Sequence, residues 1–370
     1  MKRRQFLKET PKFLGGVAVG GLVSGCSPDV TGSAPAVQTK KRIRWRLVSS
    51  FPRSLDTIYG ASEHLSQRVE ALTDGQFSIK PYPAGEIVPG LQVLDAVEAA
   101  TVEIGHSASY YYNGKEEALI FDAAVPFGLT ARQHNAWLLD GGGLELMREL
   151  FADFSIRNLP GGNTGVQMGG WFRNPVTSLA DLKGLKMRIP GMGGTVMDAL
   201  GVTVQVISGG DIYPALERGA IDATEWVGPY DDQKLGFHRV AKNYHYPGWW
   251  EPGPALSFYV NQKAWDSLPA SYQAALEVAS REAALVMMAE YDAKNPPALL
   301  ELLQQDVTLV PFPEDVMVAA RDVTQEKLTS IAAKNPKFRK VYEQWSAFQE
   351  ASNRWFATAE KSYGDFTFNG

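Results

Sequence analysis

The sequence predicts an α/β protein with two lobes, between which the chain crosses more than once. Short strand-like stretches alternate with stretches of helical spacing, first over residues 41–160 and again over residues 161–255. Strands that alternate with helices favour largely parallel sheets, whose ligands bind beyond the carboxyl ends of the strands. We therefore expect the two lobes to face each other across a cleft that contains the binding site.

Residues 1–26 have the pattern of an export signal. Arg3 and Arg4 precede an uncharged, Gly-rich run from Phe13 to Gly25, which is shorter than the roughly 20 apolar residues of a membrane span. The paired arginines indicate the twin-arginine route, and "VSGC" predicts cleavage before Cys26 and acylation of its thiol. The mature protein would then be periplasmic and tethered to a membrane. An anchor helix with an incidental cysteine is the alternative.

Residues 27–40 are rich in Ser, Pro, Gly, Thr and Ala and predict a flexible linker. Cys26 is the only cysteine of the chain, so the mature domain must be stabilised by its core rather than by disulfides. The net charge is −5, and no basic block follows the signal. Nucleic acid is therefore not an expected partner.

The first lobe, residues 41–160, begins with alternation from Ile43 to Leu47, which predicts a strand. Helical spacing follows over residues 58–69. A second strand at Phe77–Lys80 ends before the prolines at 81 and 83. A helix over residues 91–100 and a strand over residues 104–107 complete two βα repeats.

The second lobe, residues 161–255, repeats this pattern. We predict strands at Thr164–Gly169, Lys186–Ile189 and Val202–Val206. A helix opened by Asp211 then ends at Gly219, and a further strand leads into Glu225. Several polar side chains consequently lie near strand ends.

Residues 256–335 are predicted to be shared between the lobes. Ala255 to Val260 is apolar enough for a long strand that crosses back to the first lobe. An Ala-rich helix over residues 271–295 is expected to end at Pro296 and Pro297, because proline disrupts a helix interior.

Residues 336–370 contain a long C-terminal helix, predicted from Phe338 to Ser362. Its large apolar side chains recur on one stripe and comprise Val341, Trp345, Phe348, Trp355 and Phe356. This stripe would pack either against the protein's own lobes or against a second copy in a homodimer.

Arg188, in "KMRIPG", is the candidate ligand clamp. Its planar guanidinium can bind a carboxylate through two parallel hydrogen bonds. A surface ion pair with an Asp or Glu is an equally good interpretation of this residue in isolation.

A second group of candidates consists of oxygen donors. The side chains of Gln167, Glu225 and Glu251, with the backbone carbonyl of Trp226, could hold Na⁺ or Ca²⁺. Such a cation would neutralise an anionic ligand in a cleft that excludes water. The alternative is that each glutamate pairs with an Arg or Lys.

Tyr110 and Tyr111 follow a predicted strand and could close a pocket with their rings while their hydroxyls bind a ligand. Core packing is the alternative. No common hydrolase, nucleotide or metalloprotease motif occurs in the mature chain. A hydrolase or lyase that uses Glu225 and Glu251 as a carboxylate pair stays open as an alternative.

Three stretches resemble a known family. "GNTGVQMGGWFRNPVTSLADLKGLKMRIPG", "GGDIYPALERGAIDATEWVGPYDDQKLGF" and "YPGWWEPG" are similar to the solute-binding proteins of tripartite ATP-independent periplasmic (TRAP) transporters, in the branch that binds 2-oxo acids. The resemblance covers the chain from about residue 42 to its end. It implies a two-lobe, type II periplasmic-binding fold and a receptor, not an enzyme, that delivers a small organic acid to membrane permease subunits.

The resemblance also implies roles for the candidate residues. Arg188 would clamp the ligand's carboxylate. Gln167, Glu225, Trp226 and Glu251 would hold a metal ion that bridges to the carboxylate and the 2-oxo oxygen.

Tyr110 and Tyr111 lie in the corresponding first-lobe segment, although Ser109 stands where this branch often has Gly. The branch also forms dimers through a long C-terminal helix. Receptors for lactate, a sugar acid or an aromatic acid are the alternatives within the family.

Overall fold

A computed structural model describes residues 42–368. The predicted signal, the linker and Cys26 lie outside these residues. The eleven strands are β1 Ile43–Ser49, β2 Phe77–Tyr82, β3 Ile104–Ser107, β4 Ile156–Asn163, β5 Gly170–Phe172, β6 Lys186–Arg188, β7 Thr203–Gln205, β8 Ala223–Thr224, β9 Asn243–Tyr246, β10 Ala255–Asn261 and β11 Thr308–Pro311.

The helices of the described chain pack around these strands. They are α1 Gly60–Leu72, α2 Val93–Glu98, α3 Ile120–Ala123, α4 Ala131–Leu139, α5 Gly143–Ala152, α6 Gly191–Ala199, α7 Gly209–Glu217, α8 Pro229–Leu235, α9 Gln262–Asp266, α10 Ala270–Leu303, α11 Glu314–Lys334, α12 Pro336–Phe356 and α13 Ser362–Thr367. None of the helices within residues 42–368 combines the length and the apolar character that crossing a membrane requires.

The strands form two sheets, which confirms the predicted α/β class. The first sheet has the order β2-β1-β3-β10-β4, and the second has the order β11-β9-β5-β8-β6-β7. The chain passes from the first sheet to the second after β4 and returns with β10. All seven residues of β10 are buried, because this strand lies between β3 and β4 in the sheet interior.

The expectation of largely parallel sheets is wrong in one respect. β10 pairs antiparallel with both of its neighbours, and so does β5. The other pairings, such as β1 with β3 and β6 with β8, are parallel. β5 and β10 are each the first strand after the chain crosses from the other sheet, although β11, which also follows a crossing, pairs parallel with β9.

The segment Thr164–Gly169 is not the strand that its sequence predicts. Its backbone amides donate to three separate segments: Gln167 to Glu251 at 3.2 Å, Met168 to Val227 at 3.0 Å and Gly169 to His245 at 2.8 Å. No single ladder can form with such divergent partners. The strand of this region is the shorter β5, which begins immediately afterwards.

The predicted end of a helix at Pro296 and Pro297 is also wrong, because α10 continues through both prolines to Leu303. An interior proline costs a helix about 3 kcal/mol. Ala298 and Leu302, beyond the prolines, are buried, and their packing offsets this cost. The uninterrupted helix packs against α1 and β4 on one side and against α8 on the other, so it bridges the two sheets.

The C-terminal helical region divides into two halves. Phe338, Val341 and Trp345 of α12 are buried, and the ring centroids of Phe338 and Trp345 lie 4.9 and 5.5 Å from that of Phe121. This half packs against the protein's own chain. Farther along, Trp355 and Phe366 are 61% and 86% exposed, so the distal half presents an apolar surface to solvent.

Candidate ligand and metal site

The second sheet brings Arg188 and Glu225 together. Arg188 is the last residue of β6, and Glu225 directly follows β8. These strands are parallel, with Arg188 aligned to Thr224, so their carboxyl ends meet at the same edge of the sheet. On the first sheet, a short 3₁₀ turn at Ser109–Tyr112 follows β3 and presents two tyrosines to the same region.

Arg188 is buried, with an exposed fraction of only 1%. Its Nη1 donates to the carboxylate of Glu225 and, at 3.1 Å, to the backbone oxygen of the same residue. Its Nε donates to the oxygen of Ile207 at 3.1 Å, and the guanidinium lies 5.2 Å from the ring centroid of Trp226. Arg188 therefore does form an ion pair with a glutamate, as the alternative interpretation supposed, but this pair is buried and not at the surface.

The second terminal nitrogen of Arg188, Nη2, is buried and has no hydrogen-bond partner among the described residues. An unpaired donor on a buried charge costs free energy that a suitable acceptor would recover. The guanidinium is thus fixed by three hydrogen bonds, and the two N–H groups of Nη2 stay without a partner among the described residues. A ligand carboxylate is the kind of acceptor that this geometry suits.

Glu225 and Glu251 are both buried, and among the described residues only Glu225 forms an ion pair with Arg188. Glu251 accepts a hydrogen bond from the Tyr110 hydroxyl at 3.4 Å but makes no ion pair within the described chain. Burial raises the pKa of Glu225 to about 7, against the opposing charge of Arg188. Burial, followed by repulsion from Glu225, also raises the pKa of Glu251 well above its ordinary value. The site therefore has a deficit of positive charge.

Gln167 supplies a further oxygen without a partner. Its side chain is buried, its Nε2 donates to Thr164 Oγ1 at 3.0 Å, and its Oε1 has no donor among the described residues. The backbone links between Gln167 and Glu251 and between Met168 and Val227 keep the three oxygen-bearing segments adjacent. Two carboxylates and an orphaned amide oxygen are hard donors of the type that Ca²⁺ and Na⁺ prefer.

The donor set thus fits a cation on chemical grounds. In the described part of the chain, no group of three or more His, Cys, Asp or Glu residues could hold a metal ion. A metal here would depend on amide and carbonyl oxygens beside the two glutamates. Trp226 directly follows Glu225 in the chain and is one of the residues that line the cavity.

A small cavity connects these groups. It leaves about 10 Å³ of free space and is lined, besides Arg188, Glu225 and Gln167, by the rings of Tyr110 and Tyr111. That is room for about one water molecule, so a solute can enter only if the groups around the cavity move apart. Burial raises the pKa of Tyr111 to about 12, against the charge of Arg188, so its hydroxyl keeps its proton at neutral pH.

Gly191 allows the close approach of Tyr110. It begins α6 with a φ of +63°, and a Cβ at this position would lie 3.0 Å from the Cβ of Tyr110. A side chain here would both strain the backbone and displace the tyrosine. The sequence "RIPG" consequently places both the arginine and the glycine that the pocket requires.

Comparison with known proteins identifies the family. A family model described as "DctP: Bacterial extracellular solute-binding protein, family 7" matches residues 48–335. The chain belongs to this family. The name of this family describes its members as extracellular proteins that bind solutes. The resemblance to TRAP solute-binding proteins is confirmed by the solved structures that the chain matches.

Three relatives of this DctP-family protein are particularly similar. A monocarboxylate 2-oxoacid-binding periplasmic protein from Nostoc is 50% identical over 366 residues, or 99% of each chain. A TRAP transporter solute-binding protein from Bordetella bronchiseptica, also 50% identical, has a TM-score of 0.88 over 89% of this chain and 98% of its own. It is a mixed-occupancy dimer with copurified calcium and picolinate in one active site and an apo second site.

The third relative, from Pseudoalteromonas atlantica, is a TRAP periplasmic solute-binding protein with bound sodium and pyruvate. It is 42% identical, with a TM-score of 0.85 over 88% of this chain and 99% of its own. The two-sheet architecture of this DctP-family protein is therefore that of TRAP solute-binding proteins.

Some residues of the site escaped the sequence analysis. The apolar wall of the cavity is formed by Phe51, Ile58, Val227 and Leu256, and Thr164 adds a hydroxyl. Strand and turn patterns contain many such residues, and nothing in the sequence alone distinguishes those that face the cavity.

Asp232 was also missed. It is buried on α8 and accepts hydrogen bonds from Trp171 Nε1 at 2.9 Å, Tyr244 Oη at 2.7 Å and the Val227 amide at 3.3 Å. Burial raises its pKa to about 7. Through Val227 it fixes the segment that carries Glu225 and Trp226. An acidic residue in the first turn of a helix is usually solvent-exposed, so its position gave no signal.

Proposed function

We propose that the protein is the receptor of a TRAP transporter for a small 2-oxo monocarboxylate, which it binds together with Na⁺ or Ca²⁺ and delivers to membrane permease subunits. One observation carries this proposal. Arg188 is buried, its Nη2 has no hydrogen-bond partner among the described residues, and it lies beside the carboxyl groups of Glu225, with which it pairs, and Glu251, which pairs with no described Lys or Arg. The ligands of the Bordetella and Pseudoalteromonas proteins, picolinate with calcium and pyruvate with sodium, support it.

Each candidate residue has a role in this proposal. The free Nη2 of Arg188 donates to the ligand's carboxylate, while the bond from Nη1 to Glu225 holds the guanidinium in place. Gln167, Glu225, Glu251 and the Trp226 carbonyl hold the cation. A bound cation supplies positive charge for the ligand's carboxylate and 2-oxo oxygen. Tyr110 and Tyr111 cover the ligand from the first sheet.

Charge balance distinguishes the two candidate ions. Two ionised glutamates and a bound monocarboxylate carry three negative charges against the single guanidinium of Arg188. A divalent ion neutralises the remaining two, whereas Na⁺ leaves one negative charge buried at considerable cost. We therefore propose that Ca²⁺ is preferred when both glutamates are ionised, and that Na⁺ suffices when one of them keeps a proton.

Calorimetry tests this function. Pyruvate and 2-oxobutyrate are expected to bind with micromolar or lower dissociation constants when calcium is present. Chelation in sodium-free buffer should weaken this binding by at least about tenfold, which corresponds to 1.4 kcal/mol. Lactate, which lacks the 2-oxo oxygen, serves as the matched ligand and should bind more weakly.

Equal binding with and without a cation would contradict the metal assignment. If a sugar acid or an aromatic acid binds with a lower dissociation constant than pyruvate, the ligand belongs to that class and not to the 2-oxo monocarboxylates. We also propose that the protein does not transform its ligand, and nuclear magnetic resonance of the recovered acid checks this. Conversion of pyruvate to another compound would favour the hydrolase or lyase alternative instead.

We further propose that the distal C-terminal region forms a homodimer contact. Trp355, Tyr363, Phe366 and Phe368 are all more than 60% exposed, and a groove beside them is lined by Val166 and other residues. Such a concentration of exposed aromatic side chains is typical of an interface. The double change Tyr363→Glu and Phe366→Glu should convert a dimer into a monomer in analytical ultracentrifugation.

Leu285→Glu is the matched control for the dimer. Leu285 is 63% exposed on α10, outside the C-terminal region, so this change should leave the dimer intact. A monomeric unmutated protein, or a double variant that stays dimeric, would contradict the proposal.

Export by the twin-arginine route and acylation of Cys26 are also proposals, because both residues of the arginine pair and the cysteine lie outside the described part of the chain. They rest on the sequence "RRQFLK" and on "VSGC". Intact mass spectrometry of the mature protein decides between them and the alternatives. An unmodified chain that begins elsewhere than at Cys26 would argue against the lipid anchor.

A further inference from the structure

A polar cluster connects the two sheets outside the cavity. Asp56 lies in the segment that follows β1 of the first sheet, and α8 follows β8 of the second. The carboxylate of Asp56 accepts hydrogen bonds from Lys234 Nζ and, at 3.0 Å, from Tyr230 Oη, both on α8. Lys294 of α10 approaches the same carboxylate at 3.9 Å.

The cluster is internally organised. The ring centroid of Tyr230 lies 3.9 Å from the ammonium of Lys234 and 5.0 Å from that of Lys294. Lys294 also donates to Glu290 at 2.7 Å and to Thr57 Oγ1 at 3.2 Å. Two lysines thus contact one aromatic ring, and each also pairs with a carboxylate, so the cluster combines ion pairs with cation–π contacts.

The charged groups of this cluster stabilise each other's ionised state. Burial acts to raise the pKa of Asp56, but the hydrogen bonds from Lys234 and Tyr230 outweigh it and lower the pKa. Burial acts to lower the pKa of Lys234, but the hydrogen bond to Asp56 outweighs it and raises the pKa. The contact is therefore fully ionised near neutral pH.

The same segment of the first sheet also covers the cavity. Phe51 and Ile58, on either side of Asp56 in sequence, line the cavity. The ring of Phe51 meets that of Trp226 edge-on, with centroids 6.5 Å apart. Residues 50–59 therefore touch the second sheet at two places, with apolar contacts inside and the polar cluster outside.

We propose that Asp56 and Lys234 are positioning residues which hold residues 50–59 over the bound solute and slow its release. This inference rests on the proposed function, in which the solute is enclosed between the two sheets. The contact exists only when α8 and the segment are together, so its free energy favours the enclosed form selectively. Neither residue lines the cavity.

Dissociation kinetics test this role. In the full chain with pyruvate and calcium chloride, Lys234→Met and Asp56→Asn should each raise the dissociation rate roughly threefold to fivefold, as expected for an exposed ion-pair network. The association rate should change little. The double variant should release pyruvate no faster than the faster single variant, because both changes remove one shared contact. Added salt should speed release from the unmutated protein more than from the variants.

Lys340→Met is the matched control. It breaks an exposed ion pair between Lys340 of α12 and Glu149 of α5, which does not join α8 to the first sheet. Its dissociation rate should equal that of the unmutated protein. Equal dissociation rates in all five proteins, or an increase in the control as large as in Lys234→Met, would overturn the closure contact.

Hydrogen exchange separates this inference from the identity of the ligand. The amides of Leu55 and Tyr59, which donate to Pro52 and Leu55 within the segment, report on its local opening. Without any added ligand, they should exchange faster in Lys234→Met than in the unmutated protein or in Lys340→Met. If pyruvate fails to bind but this difference is seen, the closure contact stands and the ligand assignment fails. Equal exchange in all three proteins overturns the closure contact.

Discussion

Replacing Arg188 by alanine is expected to weaken pyruvate binding by at least about 100-fold. The change removes the buried donor that faces the cavity, and truncation of one member of a buried charge pair typically costs ~2–5 kcal/mol of binding free energy. It also leaves Glu225 buried without its cationic partner, so the free energy of unfolding should fall by about 3–5 kcal/mol. Calorimetry measures the first effect, and chemical denaturation measures the second.

A combined variant separates binding from stability. Arg188→Ala together with Glu225→Gln removes the uncompensated carboxylate, so it should recover much of the lost stability but none of the pyruvate binding. Arg173→Ala is the control, because Arg173 also belongs to the second sheet but donates to the Leu216 backbone away from the cavity. Normal pyruvate affinity in a folded Arg188→Ala protein would refute the clamp.

Replacing Glu251 by glutamine should have opposite effects on the metal-free and the metal-bound protein. Without metal, Glu251 is buried, has no ion pair within residues 42–368 and lies beside a second carboxyl group, that of Glu225. A neutral amide should therefore leave the free energy of unfolding unchanged or raise it by about 1 kcal/mol. With calcium, the unmutated protein gains about 2.7 kcal/mol at a concentration 100 times the dissociation constant. The variant should lose most of this gain.

Thermal unfolding across a calcium titration measures both effects. Glu282→Gln is a suitable control, since Glu282 is part-exposed and pairs with Arg68 on the outside of the first sheet. Its response to calcium should match that of the unmutated protein. An undiminished calcium response in Glu251→Gln would exclude Glu251 from the cation site.

The positions of Arg188 and Glu225 could be anticipated because their signals are local. Each residue terminates or directly follows a short strand, and the carboxyl ends of parallel strands meet at one edge of a sheet. The two strands, β6 and β8, then need only pair in register for the side chains to touch, and they do. The class of the fold followed from the same alternation of strands and helices.

Other features depended on contacts that are distant in sequence. Asp232 is buried by Trp171, which is 61 residues away, and only the assembled sheet shows this partnership. Similarly, Gln167 lies in a stretch with strand-like alternation, but the backbone amides of residues 167–169 donate to three different segments. The continuation of α10 through two prolines also depends on distant contacts. Burial of Leu302 outweighs the tendency of proline to end a helix.

The backbone links among the segments of Gln167, Glu225 and Glu251 have a consequence for the order of events. Glu225 directly follows β8, whereas Gln167 and Glu251 lie on the two segments by which the chain crosses between the sheets, and backbone hydrogen bonds between these segments fix the spacing of the three donors. A cation held by these donors could load while residues 50–59 stand away from the cavity. The receptor would then bind the cation first and the organic acid second, so the ion concentration of its surroundings would set how much of it is ready to bind the acid.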